Sequence, residues 1–217
     1  ECGETKTETI PATGHQFGNW EKVSDATVFA PEKEARTCSV CKQEETRDNG
    51  AKLKATIKVN ATTLPLKVKQ KTSALKVSGL AKGDSVKSWK SGNTKIFTVS
   101  SKGVITAGKK TGKATLTITL ASGLKKNITV KVQKSTVTTS KISGLKSKVT
   151  LKKGKKLTLK PVRTPITSKQ KFTYSTSNKK IVAVSGKGVI TAKKAGKAKI
   201  TVKSGKKKFT VTVTVTK

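Results

Sequence analysis

Past residue 50 this chain has almost no carboxylate. Of its eleven Asp and Glu residues, ten lie in residues 1–50 (Glu1, Glu4, Glu8, Glu21, Asp25, Glu32, Glu34, Glu44, Glu45 and Asp48), and only Asp84 follows. Histidine is scarcer, with His15 the single one in 217 residues. These absences exclude most acid–base chemistry from residues 51–217. Glycoside hydrolysis needs two carboxylates, a Ser-His-Asp triad needs an imidazole, and an oxygen-ligand calcium site needs several acids. No Gly-x-x-x-x-Gly-Lys-Ser/Thr phosphate loop is present. Composition leaves room for a Ser-Lys dyad, but nothing marks one pair among so many. A Lys-Asn isopeptide bond generally needs a buried acid close by, and Asp84 sits in a Gly-Asp-Ser loop. Long apolar runs are missing as well, so no segment reads as a membrane-spanning helix. The sequence is therefore read as that of a non-enzyme with no membrane insertion.

What is abundant is lysine. All but Arg36, Arg47 and Arg163 of the 48 basic residues are Lys, and the net charge is +37. The charge divides near Asn49-Gly50: residues 1–50 carry six basic against ten acidic residues, and everything after is strongly basic. Lys is a well-hydrated point charge that resists burial. It gives a self-repelling, soluble surface, or one attracted to polyanions over a screening length of about 8 Å at physiological salt. Specific DNA readers favour Arg forks and single-strand binders interleave aromatics. Residues 51–217 hold one Arg and five aromatics (Trp89, Phe97, Phe172, Tyr174, Phe209). No specific nucleic-acid partner is expected.

An internal repeat sets the expected architecture. Trp89-Lys-Ser-Gly-Asn-Thr-Lys-Ile96 is echoed by Tyr174-Ser-Thr-Ser-Asn-Lys-Lys-Ile181. Val99-Ser-Ser-Lys-Gly-Val-Ile-Thr-Ala107 matches Val184-Ser-Gly-Lys-Gly-Val-Ile-Thr-Ala192, and Gly112-Lys-Ala114 matches Gly196-Lys-Ala198. Each copy reads as strands. Phe209, Val211, Val213 and Val215 alternate with Thr210, Thr212, Thr214 and Thr216, a period of two with one face buried. Leu151, Leu157 and Leu159 flank Gly154, which predicts two strands joined at a Gly turn, an opening hairpin. Trp89 and Tyr174 are expected to be buried anchors of the two cores. Short strands with a turn every 8–12 residues predict an all-β fold of sandwiches or barrels.

The Leu-x-Leu strand before a Gly, the aromatic-x-Ser/Thr-x-Asn segment, the Gly-Val-Ile-Thr-Ala stretch and the Gly-Lys-Ala turn together resemble the group 2 bacterial immunoglobulin-like domain. This is the invasin/intimin-like module of bacterial surface proteins. The resemblance spans roughly residues 51–134 and 135–217. The first copy departs at Gln70, where the second has Gly154. What the family implies is two tandem Ig-like β-sandwiches in an extracellular location, secreted or on the cell surface, as a spacer or cell-adhesion segment. It brings no catalytic residues.

Residues 1–50 differ in kind. Ile10-Pro-Ala-Thr-Gly-His15, Trp20, Arg36-Thr-Cys-Ser-Val-Cys41 and Glu44-Glu-Thr46 resemble a small Cys-containing repeat of Firmicutes surface proteins. Cys2-Gly-Glu-Thr-Lys-Thr-Glu8 resembles Cys41-Lys-Gln-Glu-Glu-Thr-Arg47, so the unit is read as truncated at its start, with another upstream. A piece this small has little core, and a staple is expected. Two staples stay open. Cys2, His15, Cys38 and Cys41 form a Cys₃His set suited to tetrahedral zinc, while Cys38 and Cys41 could instead close a disulfide. The expected domains are 1–50, 51–134 and 135–217, in a monomeric segment of a larger chain. Two roles follow: a stalk or adhesin segment, or a Lys-rich module attaching to anionic cell-wall polymer, host glycans or mucin.

Overall fold

The computed structural model describes residues 14–217, and all regular structure among them is β-strand. Their contacts separate into two compact units. One holds the described residues up to Thr56 together with Gly79–Ser85, and the other holds Ile57–Ser78 and Val86–Lys217.

The smaller unit is built on a three-stranded antiparallel sheet, Glu21–Ser24, Glu32–Thr37 and Glu44–Asn49, in sequence order. Its register explains its mixed charges: Glu34 pairs across with Arg47, and Arg36 with Glu45. Arg36–Glu45 closes at 2.7 Å and Arg47–Glu34 at 2.8 Å. Opposite charges facing across strands stabilise a sheet. The guanidinium of Arg36 also lies over Phe17 and Trp20, and that of Arg47 over Trp20, all within 4.6 Å of the ring centres. Among the described residues of this unit, Cys38 alone is buried.

The larger unit contains two sandwiches with the same strand order. In the first, a four-stranded sheet runs Thr63–Lys67, Lys125–Gln133, Gly112–Leu120, Val86–Ser91. Facing it is the sheet Lys71–Thr72, Ile105–Ala107, Phe97–Val99. The second repeats both. Its sheets are Lys148–Lys152, Lys207–Thr216, Gly196–Ser204, Phe172–Thr176, and Lys156–Thr158, Val189–Ala192, Val182–Val184. In each sandwich the opening edge strand runs parallel to the closing strand, and all other pairings are antiparallel. The period-two pattern does what it should: Val211, Val213 and Val215 are buried while the intervening threonines are not. Two separate apolar cores result, one around Phe97, Leu116, Ile118 and Val130 and one around Val182, Ile190, Ile200 and Val213.

The repeated polar motifs are turn chemistry. Asn93 Oδ1 accepts from the Lys95 N–H at 3.0 Å, and Asn178 Oδ1 from the Lys180 N–H at 2.9 Å. Ser100 Oγ accepts from the Val104 N–H and Ser185 Oγ from the Val189 N–H, both at 3.1 Å. Gly103 and Gly188 then turn at φ 72° and 77°. A Cβ at either glycine would stand 2.8 Å from the Trp89 ring or 2.7 Å from the Tyr174 ring. Trp89 and Tyr174 are half-buried lids on their cores, each also packed on that glycine turn, and not the buried anchors that the sequence predicts.

Two further expectations change. Strands Lys148–Lys152 and Lys156–Thr158 do join at the Gly154 turn, but they enter different sheets, so this is a crossover and not a hairpin. The residue standing where the second copy has Gly154 is Lys69, not Gln70. Ala107 N–H bonds to Gln70 O as Ala192 N–H bonds to Lys155 O, so Gln70 stands where the second copy has Lys155, and Lys69 where it has Gly154. Lys69 takes the same left-handed conformation, at φ 63°.

Candidate functional site

Within the smaller unit the backbone assembles a cluster of metal-ligand side chains. Strand Glu32–Thr37 ends in a tight reversal, closed by Cys38 N–H to Gln43 O at 2.8 Å and Lys42 N–H to Cys38 O at 3.0 Å, with Lys42 at φ 64°. Residues 16–18 run alongside: Ser39 N–H bonds to Gln16 O at 2.9 Å, and Gly18 N–H to Thr37 O at 3.2 Å. That strap carries His15 onto the reversal, where its Nδ1 lies 3.1 Å from Cys41 Sγ. The ligand atoms of His15, Cys38 and Cys41 all fall within 4.8 Å of one another. Cys38 is buried, Cys41 and His15 are exposed, and both cysteines are free thiols. Backbone N–H donation from Cys41 holds the Cys38 thiol down at about 6 against the opposing effect of burial, helped by the Val40 N–H and the His15 and Cys41 side chains. The remaining residue of the Cys₃His set, Cys2, lies outside the described residues.

In the larger unit a second feature joins the two sandwiches, and sequence reading did not single it out. The loop after Thr164 sends Ile166 against the core of the first sandwich. The Thr167 hydroxyl donates to Pro65 O, and Gln70 Nε2 donates to Thr167 O at 2.7 Å. The loop is held from behind by buried hydroxyls. Thr139 Oγ1 lies 3.1 Å from Ser168 Oγ and 2.8 Å from Ser204 Oγ, and Ser204 donates to Gln170 O. Gln70 thus has two tasks, since its Oε1 also accepts from the Lys67 N–H at 3.0 Å. A Thr/Ser-rich stretch gives little sequence signal that its hydroxyls are buried.

The third feature is the outer face of each four-stranded sheet. Lys148 and Lys199 flank Thr212 in one row, and Lys197 pairs with Thr214. Like charges stand directly opposite each other at Lys113–Lys131 and Lys203–Lys208, all four exposed. Such pairs destabilise a sheet. In the smaller unit, Asp25, Glu32, Glu34 and Glu45 each take part in ion pairs.

Residues 136–215 match the sequence profile of the bacterial Ig-like domain (group 2) family. No curated protein matches the chain. Among solved structures, a bacterial Ig-like domain containing GH10 xylanase from termite gut is 26% identical over 31% of this chain, at a TM-score of 0.28; this chain spans 18% of it. Domains 4–9 of the surface layer protein SbsC are 22% identical over 86% of this chain and 35% of theirs, at a TM-score of 0.41. SbsC domains 5–6 are 21% identical over 75% of this chain and 98% of theirs, at 0.40. Residues 136–215 are thus similar to a bacterial Ig-like domain of group 2, and they are preceded by a second sandwich of the same strand order.

Proposed function

We propose that the two sandwiches act as a stiff, non-catalytic spacer or adhesin segment of an extracellular bacterial surface protein. The observation that carries this is the junction, where Ile166 is shared with the first core and Gln70, Thr167 and Pro65 are hydrogen-bonded across. A spacer must resist bending between modules, and an apolar contact backed by hydrogen bonds does that where a bare linker would not. The dearth of carboxylate and imidazole after residue 50 supports the non-catalytic reading. Residual dipolar couplings on the full chain test it. A single alignment tensor should fit both sandwiches, and the tensors should diverge in Ile166→Asp. Independent tensors in the unaltered chain would overturn the reading.

The facing lysine pairs favour a second role for the same surface. An arrangement that costs stability in the isolated chain is relieved when a polyanion lies across it. In this reading the outer faces hold the protein to anionic wall polymer, host glycans or mucin. Retention on mucin or whole cells should be strong at low salt and fall steeply as salt rises. No retention at low salt, or retention indifferent to salt, defeats it.

A further inference from the structure

We propose that His15, Cys38 and Cys41 bind a zinc ion that staples the smaller unit. The donor set points to a borderline-soft cation: two sulfurs and an imidazole suit zinc and not calcium or magnesium. The spacing is close to what the ion needs. Zinc–sulfur bonds of about 2.3 Å and zinc–nitrogen bonds of about 2.0 Å place tetrahedral ligand atoms about 3.5–3.8 Å apart. The three atoms here already lie within 4.8 Å of one another. Closing on an ion asks for shifts of about an ångström, and two of the three side chains are exposed and free to make them. The cluster is held by backbone, through the Cys38–Gln43 reversal and the hydrogen bonds of Ser39 and Gly18 to the neighbouring strap.

Two observations favour the ion over a Cys38–Cys41 disulfide. The first is the histidine. A disulfide has no use for His15, yet the strap brings its Nδ1 to 3.1 Å from Cys41 Sγ across 26 residues of sequence. The second is what each staple would tie. A disulfide between Cys38 and Cys41 closes a loop of two intervening residues, which constrains the unfolded chain little. An ion shared with His15 closes a loop from residue 15 to residue 41 and fixes the strap to the sheet. The unit needs that, because Cys38 is the one buried residue among its described members. Binding displaces the thiol protons, and its free energy adds directly to folding.

The test uses the full chain, produced with zinc in the medium and handled without oxygen. Metal content is measured by mass spectrometry, and free thiols are counted by alkylation. We expect one zinc per chain, and apo chain titrated with Co²⁺ should develop thiolate charge-transfer bands and the visible bands of tetrahedral cobalt. His15→Ala and Cys41→Ser, both at exposed positions, should each weaken zinc binding by more than about 100-fold, the upper end of what losing a group that merely orients a ligand costs. Trp20 fluorescence and circular dichroism check that both variants stay folded. The proposal is overturned by a metal-free chain, by a Cys38–Cys41 disulfide in the fresh protein, or by variants that hold zinc as tightly as the original.

Discussion

Around Glu21–Asn49 each arginine has an answer: Arg36 and Arg47 face glutamates across the sheet and lie on aromatic rings. In the sandwiches no lysine is ion-paired to a carboxylate among the described residues, and Lys113 meets Lys131 while Lys203 meets Lys208. The difference shows where each region keeps its stability. The smaller unit is held at its surface, by paired charge and cation–π contact, over almost no core. The sandwiches are held from inside, by alternating Val, Ile and Leu, and that interior offsets a surface whose charges repel. A surface this basic is tolerable only over a core that does not depend on it.

The sharpest way to break this contrast is inside the first core. Phe97 is fully buried there, and Phe97→Ala should cost about 3–5 kcal/mol, read from denaturant unfolding followed on Trp89. A loss under about 1 kcal/mol would mean that the sandwich is not held from within. Next come the glycines. Gly103→Ala meets the Trp89 ring at 2.8 Å and a left-handed backbone, and should cost about 2–3 kcal/mol. Gly123→Ala shares the backbone, at φ 87°, but meets nothing within 4 Å, so its cost should be about 1 kcal/mol. Equal melting temperatures for the two variants would remove the ring from the argument.

Smaller effects belong to the acidic unit. Arg36→Ala loses two ring contacts and the Glu45 pair, all part-exposed, and should cost about 1 kcal/mol by hydrogen exchange within strand Glu32–Thr37. The smallest is a pH effect. Lys22 first, and Lys82 with it, hold the Asp25 carboxyl down at about 2. That folded value lies below the unfolded one, about 3.9. The contribution is therefore complete above pH about 4 and is lost as pH falls toward 2. On acidification Trp20 fluorescence should change before that of Trp89. The reverse order would place the acid-sensitive contacts in the sandwiches.

The sandwiches were legible because their pattern is local. Val-Thr alternation, the Gly188 turn and the Ser185 and Asn178 turn bonds are all written within a few residues, and two copies made chance an unlikely source. What escaped was tertiary. Leu151 and Leu157 flank a Gly turn whether the chain makes a hairpin or changes sheet, since both leave one face apolar. Lys69 was missed because a left-handed turn usually advertises itself as Gly, and here a lysine accepts the strain. The junction was invisible because Thr139, Ser168 and Ser204 look like surface residues until their hydroxyls are seen to satisfy one another. Of the cysteine cluster, the donor types could be read from sequence. The convergence of His15 on Cys41 depends on a strap that no periodicity announces.

The parallel pairing of opening and closing strands has a mechanical consequence. Thr63–Lys67 lies beside Lys125–Gln133, and Lys148–Lys152 beside Lys207–Thr216, each through five register pairs. A pull in opposite senses along the two strands of either pair slides these partners lengthwise past each other. The load is then shared along the whole ladder and not concentrated on one bond at a time, as it would be if the strands peeled like a zip. Each sandwich thus meets such a pull through a ladder loaded in shear.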